Sequence, residues 1–80
     1  MYGWYKLLSE SDDEMRIAYS FEKNDSCDGI LSYNKKNDGF KTIKMSKGAD
    51  EWITRWISRH ILSKIITGKI SNTRGMIAAG

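Results

Sequence analysis

Between residues 49 and 66, Trp52, Ile53, Trp56, Ile57, His60 and Ile61 recur three or four residues apart, the spacing that lines side chains along one stripe of an α-helix. No other segment limits the fold so tightly. The rest of the chain reads as short strands, and one amphipathic helix beside strands must bury its stripe on a sheet. At roughly 100° per residue, Ala49, Ile53, Trp56, Ile57 and His60 fall in a narrow arc with Trp52 and Ile61 at its edges, and this arc is expected to meet the sheet. Asp50 and Glu51 lie in the first turn, where carboxylates complement the helix dipole, and Gly68 is a stop signal.

Four strands are read ahead of the helix. Residues 2–9 are aromatic and aliphatic, which suits a strand. Residues 15–23 alternate, with Met15, Ile17, Tyr19 and Phe21 on one face and Arg16, Ser20 and Glu22 on the other, the pattern of a half-buried strand. In residues 30–35, Leu31 and Tyr33 share a face. Lys36-Asn37-Asp38-Gly39 is a hairpin signal, because Asn and Asp-Gly supply positive φ, and residues 40–46 return with Ile43 and Met45 expected inward and Lys44 outward. The expected fold is α+β: a four-stranded antiparallel meander followed by one C-terminal amphipathic helix on one sheet face. Residues 1–70 form one small domain, and residues 71–80, which lack periodicity, are expected to be a loose tail or one ordered only by a partner.

Leu62, Ile65 and Ile66 break the stripe, projecting to the sides and back of the wheel, while Lys64 falls near the apolar arc. Either a second subunit covers Leu62, Ile66 and Ile70, or the helix ends near Ser63 and Ile65-Ile66-Thr67 continues as a fifth strand.

Eighty residues bury only about 60% of the surface of the unfolded chain, so stability is marginal, and self-association is a usual remedy. The single cysteine, Cys27, closes no intramolecular disulfide, and the single histidine, His60, makes no zinc set with it alone. The first nine residues lack the basic start, apolar stretch and cleavage site of a signal peptide, and no apolar run approaches the roughly 20 residues of a membrane span. With the unpaired cysteine, those features make a cytoplasmic chain off the membrane the expectation. The formal charge of +3 conceals an asymmetry: residues 1–40 carry −3, with five basic and eight acidic groups, and residues 41–80 carry +6, with eight basic groups against Asp50 and Glu51.

The search for chemistry is mostly negative. His60 sits in the apolar stripe and reads as structural, with no nucleophile beside it in sequence. Cys27 lies among Asp25 and Asp28, which disfavour the thiolate. The acidic runs lack the spacing of a calcium loop, and no glycine-rich phosphate loop is present. No catalytic residue, metal ligand or cofactor site is nominated.

Two functional expectations follow. The first is a non-catalytic interaction or assembly module, a homodimer or a protein-binding domain, with Trp4, Leu62, Ile66 and Ile70 at its interface. The alternative is a nucleic-acid-binding accessory protein that uses Lys36, Lys41, Lys44, Lys47, Arg55 and Arg59 on the last hairpin and the helix.

Overall fold

The computed structural model describes residues 1–78. Its elements are β1 (Tyr2–Glu10), β2 (Glu14–Phe21), β3 (Gly29–Asn34), β4 (Gly39–Lys44), α1 (Glu51–Ile66) and β5 (Gly75–Ala78). The strands form one antiparallel sheet in the order β4-β3-β2-β1-β5, and α1 covers one face. The class is therefore α+β, with two corrections to the expected architecture. The sheet has five strands, and the helix is followed by one of them.

The fifth strand comes from the segment read as a tail. Gly75–Ala78 pairs with β1, placing Ile77 opposite Gly3, and Ile77 is buried. Four residues carry too little alternation to announce a strand, but the free edge of β1 supplies a template for them. Trp4, one of the expected interface residues, consequently lies on an interior strand. The last two residues of the former tail, 79–80, lie outside the described residues.

Pairing follows the alternation. Tyr5 lies opposite Tyr19, Leu7 opposite Ile17, Ile17 opposite Leu31 and Tyr33 opposite Phe40, so these side chains share the face beneath α1. Trp4, Lys6, Arg16, Ala18, Ser20, Ile30 and Ser32 occupy the open face. Two irregularities interrupt the ladder: the register shifts between Leu7 and Ser9 in β1, and opposite the Ile30–Leu31 step in β4. The second leaves Ile43 as an extra residue, because Leu31 faces Thr42 and Ile30 faces Lys44. Ile43 and Met45, expected inward, are thus exposed.

The helix is one continuous piece to Ile66, which removes the alternative of a strand at 65–67. Asp50 is its N-cap, with Oδ1 accepting from the Ile53 N–H at 2.8 Å. Its buried residues are Thr54, Ile57, Ser58 and Ile61, so the centre of the buried face is shifted toward Thr54 and Ser58, while Ala49, Ile53 and Trp56 of the expected arc pack partly buried against the core. Trp52, at the edge of that arc, is 60% exposed, and Trp56 is half-buried against the His60 ring, with centroids 4.6 Å apart.

The cause lies in the sheet. Tyr5, Tyr19 and Tyr33 already fill the covered face with large rings, which leaves room for small and aliphatic side chains from the helix but not for two indoles. The Tyr19 hydroxyl is also buried and needs partners. It accepts from the Ser46 N–H at 3.0 Å and shares a hydrogen bond with Thr54 Oγ1 at 2.9 Å. Gly3 admits the helix closely, since a Cβ there would stand 3.2 Å from Ile57 Cδ1. Tyr19→Phe, which strips the buried Ser46 N–H and Thr54 of their partner, is expected to lower unfolding free energy by about 1–3 kcal/mol, read as a lower urea midpoint at unchanged slope.

Candidate functional site

α1 runs nearest β5 and leaves the far side of its sheet face uncovered. The result is a groove of about 390 Å3 between helix and β4, lined by Phe40 and Thr42 of the strand and by Thr54, Ser58 and Leu62 of the helix, with Asp38, Glu51, Arg55 and Arg59 around it. Phe40 is packed against the Tyr33 ring, with centroids 5.0 Å apart. Beyond Phe40 and Thr42 the sheet ends, because among the described residues β4 has a strand on one side only.

The charged groups at this corner differ in how they are engaged. Arg55 Nη2 lies 3.2 Å from Glu51 Oε1, an exposed i,i+4 pair that contributes a few tenths of a kcal/mol. Asp38 accepts from the Tyr33 hydroxyl, a bond that raises the tyrosine pKa. Arg59 has no hydrogen bond or ion pair among the described residues. Lys41 lies opposite Ser32 and Lys44 opposite Ile30, so both project on the open face of the sheet and neither has an ion-pair partner among the described residues.

The six basic residues singled out in the sequence are therefore not one stripe. Lys41 and Lys44 stand on one side of the β4 edge and Arg55 and Arg59 on the other. Lys36, in the hairpin turn, faces Asp13 at 3.6 Å. Lys47 is held by its backbone, its N–H donating to Asp28 Oδ2 at 3.1 Å. The Asp28 carboxylate also accepts from the Ser46 hydroxyl at 2.6 Å, and that bond chiefly holds its pKa below the usual range.

The four apolar interface candidates are also separated. Leu62 lines the groove, and Ile66 lies one turn further on, 71% exposed. Ile70 packs partly buried against the core. Trp4 belongs to the open face, away from the helix. Its Nε1 donates to the Glu22 carbonyl at 2.8 Å and the Arg74 guanidinium stacks 4.9 Å from its ring centre, while Arg74 also reaches Asp25 at 3.3 Å.

His60 and Cys27 lie on opposite sides of the sheet. The Cys27 N–H donates to Ser20 Oγ on the open face, and burial, more than the neighbouring Asp25, pushes the thiol pKa up. Among the described residues no three His, Cys, Asp or Glu side chains converge as metal ligands, and no helix is long and apolar enough to cross a membrane.

Thr42, Thr54 and Ser58 carried no functional signal in the sequence. They become lining residues only because the helix sits off-centre on the sheet. Compared with protein-family models, curated proteins and solved structures, the chain matches none of them.

Proposed function

We propose that the chain is a small non-catalytic interaction module that docks a protein partner at the corner between β4 and α1. The observation that carries this reading is the groove: an apolar floor of Phe40 and Leu62, two buried hydroxyl-bearing side chains beneath, and the unengaged Arg59 at the rim. Arginine and tryptophan dominate the energetics of protein interfaces, and Arg55, Arg59 and the exposed Trp52 share the outer side of the helix. Trp52, Arg55, Trp56 and Arg59 also line a shallow depression there.

Charge favours a different molecule over a second copy. Two helices paired about a twofold axis on this side would bring Arg55 and Arg59 against their own copies, and the nearest carboxylate, Glu51, already engages Arg55. The distribution of cations on two sides of a strand edge lends less support to a nucleic-acid backbone, which follows a continuous basic track.

Retention of a partner from an extract of the native host tests the reading. Arg59→Glu is expected to weaken capture of the retained protein at least tenfold, whereas Met76→Gln on the open face leaves it unchanged. Equal behaviour of the two variants, with both folded by circular dichroism, would sink the proposal, as would sedimentation showing that the chain's only ligand is itself.

A further inference from the structure

The same corner carries information about the form its occupant takes. Among the described residues β4 is the terminal strand of the sheet, with β3 on one side and no strand on the other. Its outer edge presents backbone N–H and C=O groups that a further strand can pair, and such pairing is a recurring mode of peptide recognition. Six residues of strand span roughly 20 Å. The bulge at Ile43 confines regular pairing to the stretch from Gly39 to Thr42, so the complementary segment is short.

Alternation then fixes what lies on either side of an added strand. Side chains turned toward α1 enter the groove over Phe40 and Leu62, within reach of Arg55 and Arg59. Those turned away lie beside Lys41 and Lys44 on the open face. At the groove Glu51 and Arg55 engage each other and the Asp38 carboxylate is held by the Tyr33 hydroxyl, which leaves Arg59 as the cation there without an ion pair among the described residues. An incoming strand thus meets Arg59 on the groove side and Lys41 and Lys44 on the other, all three without ion pairs among the described residues.

We propose that the occupant is an extended acidic segment of another protein, with apolar residues interspersed, that adds to the sheet as a strand beside β4. This inference rests on the interaction-module reading and specifies its partner. Lysines on edge strands keep sheets from pairing with copies of themselves; the same lysines admit a strand of opposite charge. Among the described residues the chain supplies no such strand from its own surface. β4 contains Lys41 and Lys44 and no acid, the other edge is the uncharged Gly-Met-Ile-Ala of β5, and the acidic run at residues 10–14 is committed to the β1–β2 hairpin, where the Ser11 N–H bonds the Glu14 carbonyl.

The probe is a fluorescein-labelled hexapeptide alternating glutamate with valine, titrated into the full chain at low salt and followed by anisotropy. Saturable binding is expected. The double variant Lys41→Glu/Lys44→Glu should weaken it about tenfold, which corresponds to about 1.4 kcal/mol, and Arg59→Glu by a smaller factor. Methylation of every peptide nitrogen, which removes the backbone donors and keeps the side chains, should abolish it.

Equal affinity for the methylated peptide, or for one with lysine in place of glutamate, overturns the proposal. So does an absence of peptide binding, or a single-stranded oligonucleotide that binds more tightly at the same residues. If the hexapeptide fails while the captured host protein still depends on Arg59, the strand proposal falls and the module reading stands. If neither the peptide nor any host protein depends on Arg59, both fall.

Discussion

Ile61→Ala is expected to lower the unfolding free energy by about 2–5 kcal/mol, the range for a large aliphatic truncated in a core. The whole stability of an 80-residue domain is roughly 4–12 kcal/mol, so this substitution removes a large share of it. Ile61 is fully buried, and belongs to the cluster that joins α1 to Tyr5, Ile17, Tyr19, Leu31 and Ile77. Its loss creates a cavity that rings fixed by hydrogen bonds and strand pairing are poorly placed to fill. Ile66, five residues on, is 71% exposed, and Ile66→Ala should change stability by no more than about 0.5 kcal/mol. Urea titrations of the two variants measure the contrast. Equal effects would mean that the helix faces the sheet with another side.

Gly29→Ala is expected to cost a similar amount, about 2–5 kcal/mol, combining overpacking with damage to a buried hydrogen-bond network. A Cβ at this position would stand 2.4 Å from Tyr19 Cε1 and 2.8 Å from the Ser46 backbone nitrogen. Neither neighbour yields easily. The Tyr19 ring is fully buried, and its hydroxyl is held by Ser46 N–H and Thr54 Oγ1, so displacing the ring pulls on the β4–α1 connection and on the helix together. For a domain of this size the melting temperature should fall by roughly 10–30 °C. Adding Tyr19→Phe frees the ring from its two anchors, so the double variant should lose less than the sum of the single losses. Strict additivity would show that the clash and the network are independent.

Most of the secondary structure was legible in the residues themselves. The alternation in 15–23 and the Asp-Gly turn located β2 and the β3–β4 hairpin, with Asp38 adopting the positive φ such turns need. Asp50 and Gly68 bracketed the helix. Two losses have distinct physical causes. β5 is too short to carry a period, and exists because β1 offers it hydrogen-bond partners and a slot for Ile77. The bulge at Ile43 depends on how β4 registers against β3, which nothing within β4 specifies.

The rotation of the helix is more instructive for function. Hydrophobic periodicity summed Trp52 into the buried arc and left out Thr54 and Ser58, because it weighs apolarity and ignores volume and hydrogen bonding. The sheet beneath is crowded with tyrosine rings, one of which requires a polar partner from the helix. Thr54 and Ser58 fit that surface better than indoles do. The outcome moves Trp52 to the outside and brings Arg55, Arg59 and Leu62 beside β4, so the candidate site arises from the same packing decision that the pattern missed.

Local sequence by itself determined the strands β1 to β4, the helix and its start, and the faces that β2 and β3 bury, because those depend on turn chemistry and on period-two or period-3.6 spacing within one segment. The tertiary structure alone decided the fifth strand, the side of α1 that meets the sheet and the off-centre seating that opens a groove at the β4 edge. Those choices depend on volumes and hydrogen-bond partners supplied by residues far away in the chain, and no single segment encodes them.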